Sequence, residues 1–540
     1  MSSSEQDMMT AVERKRRLRR KLTVTGLLAI LLACAIIGPP LVNGERYRRR
    51  IATSMSEALG RPVHIDKVSF HLLPAPGITL GGLVVEENPA FGSEPVIRAN
   101  VVEARLRLSS LWRHRFEVSS VKFDTDENGS GASLNIVRNA QGRWNLQDIL
   151  VQAAHVNAAP TGQSKAGDAP RFPYIEAVGA RINLKLGDEK LPFSLTDADF
   201  ALWLPSPQAW HLRLKAKPGR TDTNATDTGT MSLEGTLGRA VTLAQVPINL
   251  TASWSHVPTG VATQVMTGED QDWRGTLEMG ATLVGTVGNG HLIGDAHLTD
   301  LRRSEFVPAD LLEISTHCAA TVNLAIVTAT DAQCDIPTGG AKPITVSSPS
   351  LDMQRPQRSA INIAISDLPM DWVMRWAHLF SPHVPDTHPV GTINGAFNQA
   401  AADGTWSGAM QASIKSLTPA GTDSADPKKD LGIHPVIFGF TAGPTPQLEL
   451  QPSTIQWTNT SQLTVTGLID TSHYALQLNG TASADQIRSL GNDLVSPFGD
   501  NLTTLMKGNQ IAVSCTRPFA GEQTCTADKA APTPKRKPRR

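Results

Sequence analysis

The sequence predicts a mainly β protein in which an amino-terminal transmembrane helix precedes an elongated, curved antiparallel β-sheet or groove with a few short helices. Three observations support this fold class. Only 19% of the 540 residues are charged and 5% are aromatic, whereas Gly, Pro, Ser, Thr and Asn are plentiful, which is typical of strands and turns. Apolar and polar residues alternate with a period of two over most of the chain. One long apolar run stands near the amino terminus.

The apolar run extends from Leu22 to Gly44 without a charged residue, which is long enough for a helix to span a bilayer. Seven Lys or Arg residues lie between Arg14 and Lys21, against four in Arg46–Arg50. The positive-inside rule therefore predicts a cytoplasmic amino end and a chain that crosses the membrane once. A cleaved signal peptide and a lipoprotein anchored at Cys34 are alternatives, but apolar residues continue past Cys34 and no clean cleavage site is present.

Four further cysteines form two close sequence pairs, Cys318 with Cys334 and Cys515 with Cys525. Each pair encloses a segment of hairpin length, so an oxidising compartment would favour two local disulfides. The alternative is four separate buried thiols. Neither pair has the C-x-x-C spacing of a redox or zinc site.

Composition and pattern divide the chain into a basic cytoplasmic segment 1–21, the transmembrane helix 22–44, an amino-terminal β-domain 45–150, a flexible linker 151–170, a central β-groove region 171–315, a carboxy-terminal β region 316–526 and a disordered basic tail 527–540. Two helices are predicted within this organisation. Ile51, Met55 and Leu59 share one helical face, and LPMDWVMRWAHLF (Leu368–Phe380) is the best interior candidate.

The strands have one apolar and one polar side, and an apolar side must be covered. Two compact sandwiches would cover it, and so would a single curved trough filled by lipid; the alternation leaves both open. Leu184, Leu277 and Leu283 are candidate lipid-facing residues of such a groove, because each lies on the apolar side of its strand.

No motif predicts catalysis, a cofactor or a metal. The stretch GITLGG (Gly77–Gly82) lacks the Lys of a phosphate-binding loop, so its glycines are interpreted as turns between strands. Two clusters are interpreted as a polar loop and a solvated turn: His378, His383 and His388 in the first, and Glu269, Asp270 and Asp272 in the second. The balance of 50 basic and 50 acidic residues argues against a nucleic-acid partner.

Several stretches in one order carry a family resemblance: LGRPVHIDKVSFHLLPAPGITLGGLVVEENPAFG, then LNIVRNAQGRWNLQDIL, then RFPYIEAVGARINLKLGDEKLPFSLTDADFALW. With them the chain resembles the AsmA family of bacterial envelope proteins, most closely up to about Arg220 and more loosely to about Ile314. The resemblance implies an inner-membrane anchor, a bulk that faces the periplasm, and a start similar to the chorein-type cap of bridge-like lipid-transfer proteins such as the larger relatives TamB and YhdP. No catalytic residue is attributed to the family.

The resemblance and the one-sided strands predict a non-enzymatic role: handling or transferring phospholipid between inner and outer membranes through an apolar β-groove, in support of outer-membrane biogenesis. An apolar groove spares acyl chains about 25 cal/mol per Å² of exposure to water. The expected partners are the inner membrane, phospholipid acyl chains and outer-membrane or other envelope proteins. The alternatives are a scaffold or assembly factor for outer-membrane proteins, with self-packed sheets, and a membrane-anchored hydrolase.

Overall fold

The structure is a computed structural model, and it describes residues 21, 23–26, 44–72, 75–107, 118–149, 172–187, 189–206, 208–305, 307, 311–353, 358–380, 387–419, 436–442, 447–470, 473–487, 502–518 and 524–527. The predicted transmembrane helix 22–44 lies largely outside these residues. The segment 151–170 lies wholly outside them, and of the segments 1–21 and 527–540 only Lys21 and Ala527 are described. Among the described residues, no helix has both the length and the apolar character needed to cross a membrane.

The chain divides between Ala252 and Ser253 into two compact units, here called unit 1 and unit 2. Unit 1 contains helix α1 (Gly44–Leu59) and a 3-10 helix (Leu243–Gln245). Its strands are β1 (Val63–His64), β2 (Lys67–His71), β3 (Gly77–Val85), β4 (Ile97–Leu106), β5 (Val118–Asp124), β6 (Ser133–Arg138), β7 (Tyr174–Leu186), β8 (Glu189–Ser206), β9 (Ala209–Arg220) and β10 (Thr230–Gly238).

The division falls inside strand β11 (Pro247–Pro258). Unit 2 contains helices α2 (Thr259–Thr267) and α3 (Met370–Phe380) and a 3-10 helix (Leu502–Leu505). Its other strands are β12 (Trp273–Thr286), β13 (Asn289–Arg303), β14 (Leu312–Asn323), β15 (Thr328–Ile336), β16 (Ile344–Asp352), β17 (Ile361–Pro369), β18 (Thr387–Gln399), β19 (Trp406–Pro419), β20 (Val436–Ala442), β21 (Leu448–Thr458), β22 (Ser461–Ile469), β23 (His473–Thr481), β24 (Gln510–Pro518) and β25 (Thr524–Ala527). The mainly β class with few helices is confirmed, and the predicted boundary near residue 315 falls within β14.

Helix α1 is amphipathic, as its spacing predicts. Its residues Ile51, Met55 and Leu59 pack against the core of unit 1, where Val63, Leu83 and neighbouring side chains are buried. The helix ends at Gly60, which has φ +64° and so terminates the helix in the left-handed region that glycine favours. This packing fixes the segment that follows the predicted anchor onto the sheet.

The sheet of unit 1 is antiparallel except at two places. Strands β5 and β6 both lie between β4 and β7, and both pair with β7 in parallel. The predicted antiparallel sheet is confirmed, and these two parallel pairings are local exceptions to it. Parallel neighbours need a long crossover connection, and the more than thirty residues between Arg138 and Tyr174 supply it. The alternation of the strands does not report their direction.

The stretch Gly77–Gly82 is part of strand β3, so the interpretation of its glycines as turns between strands was wrong. Gly81 pairs with Lys67 in the regular register. Gly82 has φ +63°, and a Cβ atom there would lie 2.0 Å from the Asp66 carboxylate. Glycine is therefore required at Gly82 by a local irregularity of the strand and by the close approach of Asp66.

Unit 2 is a meander in which each strand from β12 to β25 pairs antiparallel with the next in sequence. Helix α3, predicted from its periodicity, connects β17 to β18 and contacts β13, β17 and β18. Helix α2 was not predicted; its carboxyl end is capped by Gly268 at φ +99°.

Candidate functional site

The register of unit 2 places one continuous row of mostly apolar residues on one side of the meander. Each member lies directly opposite the next across the strands β12 to β23, so all share one side of the sheet. The row consists of Ala281, Gly294, Cys318, Cys334, Val346, Ile363, Phe397, Gly408, Ala442, Leu448, Ile469 and Tyr474. We call this side of β12–β24 the apolar face.

The middle of the apolar face is only half-buried. Ala296, Val346, Ile363 and Phe397 are all of intermediate exposure, and Met279 is 42% exposed. Residues of a filled two-sheet core would be almost completely buried, because the inner faces of both sheets interdigitate. The central part of this face is therefore open.

The opposite side of the same strands is mostly polar and more exposed, although Val284 and Ile293 also lie on it. On β13, His291, Asp295 and His297 are exposed and alternate with half-buried Leu292 and Ala296. The two sides of the sheet thus differ in both polarity and exposure, as expected for a sheet with a single apolar side.

Helix α3 covers one margin of the apolar face. Leu379 is fully buried with Leu301 and Leu312, and Trp376 stacks edge-on against Trp273 at 6.2 Å between ring centroids. Near the start of the same helix, Trp372 packs against a second cluster, which includes Leu368, Ile393 and Ala412. One helix thus covers strand ends from both the β12–β14 and the β17–β19 part of the sheet.

The face is filled over its last strands. Leu463, Leu478 and Val513, on β22, β23 and β24, are almost completely buried. They form one cluster with Ile487 and Leu502, which belong to the connection between β23 and β24. Unit 2 therefore combines an open middle with a carboxyl end that is covered by its own chain.

The three predicted groove residues lie in different settings. Leu277 and Leu283 share the apolar side of β12 with Met279, but they are 7% and 9% exposed, so they lie beneath neighbouring side chains. Leu184 belongs to unit 1, where it is half-buried on β7 opposite Ile136.

The four cysteines are joined in two disulfides, Cys318–Cys334 and Cys515–Cys525. Each links residues directly opposite on neighbouring strands, β14 with β15 and β24 with β25. Both bonds lie on the apolar face, the first in its open middle and the second in its filled part. They fix the pairing of short strands at these two places.

The groups considered for chemistry are not assembled into a site. Asp270 pairs with Arg274 at 3.1 Å on an exposed surface, as expected of a solvated turn. His378 lies in α3, whereas His383 and the side chain of His388 lie outside the described residues. In the part of the chain that the structure describes, no cluster of three or more potential metal ligands occurs.

Sequence reasoning missed a buried polar cluster in unit 1. Asn145 is completely buried; its Nδ2 donates to Glu87 Oε2 (2.6 Å) and to the Asn135 carbonyl (2.9 Å), and its Oδ1 accepts from Val137 N (3.0 Å). Arg61 approaches Glu87 to 3.6 Å. Arg61, Glu87 and Asn145 come from the stretches LGRPV, EENPAFG and GRWNL, so the motifs that carry the family resemblance meet at one place.

The same cluster extends to strand β7. Asn183 Nδ2 donates to Asn135 Oδ1 at 3.0 Å, and the buried Lys185 ammonium pairs with Glu94. The hydrogen bond from Lys185 holds the pKa of Glu94 below its ordinary value. Because Asn183 and Lys185 occupy the buried side of β7 here, Leu186 on the other side is 42% exposed.

The fold and the face together define a class: a mainly β protein whose long sheet has one open apolar side. Comparison with known protein families finds a match: the model of the AsmA family matches residues 16–174. The predicted resemblance to the AsmA family is confirmed over this region, which contains Arg61, Glu87 and Asn145. Neither the curated proteins nor the solved structures include a significant match to the chain.

Proposed function

We propose that this protein holds and transfers phospholipid acyl chains on the open part of its apolar face. In this proposal it is anchored in the inner membrane by residues 22–44, with its bulk in the periplasm, and supports outer-membrane biogenesis. No catalytic residue, metal or cofactor takes part. The match to the AsmA family model and a large one-sided sheet are consistent with such a role.

The half-burial of the central apolar face carries the proposal. Val346, Ile363 and Phe397 follow one another across β16, β17 and β18, and each retains exposed apolar surface. Water contact with apolar surface is unfavourable by about 25 cal/mol per Å², so an occupant of matching polarity stabilises this face. An acyl chain laid across the strands would contact one such side chain on each strand.

The alternative role, a scaffold for outer-membrane protein assembly, is favoured by the filled carboxyl end of the same face. There the cluster around Leu463 needs no occupant. The two roles therefore differ in what the open middle of the apolar face contacts in the cell: phospholipid in the first role, and protein in the second.

Photo-crosslinking at Ile363 and Asn362 tests the proposal. These adjacent residues lie on opposite sides of β17, and Asn362 is the exposed one. A photoreactive residue at Ile363 is expected to give phospholipid adducts in cells, and the same residue at Asn362 few or none. Protein adducts alone at Ile363 would instead support the scaffold role.

A further inference from the structure

The tip of the β14–β15 hairpin is made of apolar residues, unlike the β18–β19 tip at the same end of the sheet. Leu324, Ala325, Ile326 and Val327 form the turn, with Leu324 38% and Ile326 56% exposed. Exposed turns normally carry Gly, Pro, Asn, Asp or Ser, whose side chains or backbones suit tight reversals. Val327 has φ +60°, which is unfavourable for a β-branched residue.

Alternate hairpins of an antiparallel meander lie at the same end of the strands, which provides internal comparisons. The β18–β19 tip follows ordinary turn chemistry: Asp403 accepts a hydrogen bond from Thr405 N (3.0 Å), and Gly404 has φ +72°. The β22–β23 tip does likewise, since Asp470 accepts one from His473 N at 2.7 Å. The β12–β13 tip also follows it, since Asn289 N donates to Thr286 Oγ1 at 3.1 Å, so the apolar composition is a local feature of the β14–β15 hairpin.

Three successive tips are joined into one patch. Leu324 N donates to the Val287 carbonyl of the β12–β13 tip at 2.9 Å, and Met353 N, after β16, donates to the Val327 carbonyl at 3.3 Å. Met353 is 36% exposed. We call Val287, Leu324, Ile326, Val327 and Met353 the tip cluster.

The tip cluster is continuous with the apolar face. Directly below it Val322 and Ala329 lie opposite each other across β14 and β15 and are 2% and 3% exposed. The chain from Cys318 to Thr330 contains no charged residue, and the acidic residue beside the cluster, Asp352, lies opposite Thr328 and is only partly exposed. A lipid bilayer is the partner that matches such a surface, because its interior penalises charge and accepts apolar side chains.

We propose that the tip cluster is the surface through which unit 2 touches a lipid bilayer when acyl chains pass between the bilayer and the apolar face. This inference rests on the proposed function, because it names where the transferred lipid enters or leaves. The apolar surface offered to an acyl chain at this point is that of Leu324, Ile326 and Met353, because Val322 and Ala329 are buried beneath them. The contact is reversible, because only a few side chains enter the bilayer.

The first test uses the full chain, held in nanodiscs, with an environment-sensitive fluorescent amino acid in place of Ile326. Separate vesicles of phosphatidylethanolamine and phosphatidylglycerol with brominated acyl chains are then added. The probe at Ile326 is expected to be quenched at least about fivefold more than the same probe at Ala402, the exposed matched position on the β18–β19 tip. Equal quenching at the two positions would overturn the proposal, whether or not the protein carries lipid.

The second test separates this inference from the proposed function. The double variant Leu324→Asp, Ile326→Asp is compared with the control Ala401→Asp, Ala402→Asp. The first is expected to slow uptake of labelled phospholipid from vesicles about tenfold, while loading from detergent-dispersed lipid stays unchanged. Unchanged vesicle uptake would refute the role of the tip cluster alone. A wild-type chain that accepts lipid from neither source would refute the proposed function, and the probe at Ile326 would still decide the tip contact.

Discussion

A single charge on the open apolar face should reduce lipid occupancy, and Ile363→Asp is the sharpest such change. Ile363 lies in the middle of the face, opposite Val346 on one side and Phe397 on the other. It is half-buried, so the carboxylate remains in contact with water in the empty protein. The substitution therefore acts mainly on the occupied state and less on folding.

The magnitude follows from the strand spacing. Neighbouring strands are ~4.8 Å apart, so an acyl chain laid across the sheet places about four methylene groups over each strand. Each buried methylene contributes about 0.8 kcal/mol, and an open face covers only one side of the chain, which leaves about 1.5 kcal/mol per strand. Loss of one strand's contact should therefore lower the affinity for lipid about tenfold.

The assay is the equilibrium occupancy of purified full-length protein by labelled phospholipid, with thermal unfolding as a check on folding. Asn362→Asp is the matched control, because it places the same charge one residue away on the exposed side of β17. Equal occupancies of the two variants, with both folded, would refute the assignment of the apolar face as the lipid-binding surface.

Three further substitutions test the other contacts. Val327→Asn should raise the free energy of unfolding by about 1 kcal/mol in urea titrations, because Asn tolerates the positive φ of this position. Asn145→Ala should lower it by about 4 kcal/mol, since the Glu87 carboxylate and the Val137 amide are then left buried without that partner. Glu94→Gln should destabilise the protein at neutral pH, because the buried Lys185 ammonium loses its countercharge. The pKa of Glu94 is lowered in the folded protein, so its stabilisation is fully present above the ordinary value of 4.5 and is lost as the pH falls through the folded-state pKa. The difference between wild type and Glu94→Gln should therefore shrink below about pH 4.5, and a difference that stays constant down to pH 2 would contradict this origin.

Local periodicity was sufficient for most elements of this fold, although it missed helix α2. It placed α1 and α3 and the alternating strands, because each of these patterns is set by residues close in sequence. The parallel pairings of β7 were not predictable in this way, since they depend on which strands meet after a long connection. The need for glycine at Gly82 was also missed, because it depends on the side chain of Asp66, which lies just before strand β2.

Which part of the apolar face is open could not be predicted from local sequence patterns, for a similar reason. Ile363 and Leu463 both belong to strands with one apolar side, yet one is half-buried and the other is fully buried. The difference arises from Ile487 and Leu502, which cover the second and not the first. Likewise, Asn145 gives no signal of burial by itself, because its partners come from separate motifs.

The filled carboxyl end limits what unit 2 can do with a lipid. A conduit needs an apolar surface open from one end to the other, whereas this face is occupied by its own chain from about β21, where Leu450 is 5% exposed, to β24. The open strands β13 to β19 extend over roughly 30 Å at ~4.8 Å per strand, which is about the thickness of a bilayer's hydrocarbon core, or two acyl chains end to end. Unit 2 is therefore expected to bind a lipid on the open strands rather than to conduct several lipids one after another along its whole apolar face. A photoreactive residue at Ile363 should give lipid adducts and one at Leu463 should give adducts to its own chain only. Comparable lipid adducts at both positions would show that the covering segment moves aside and that the face acts as a through path.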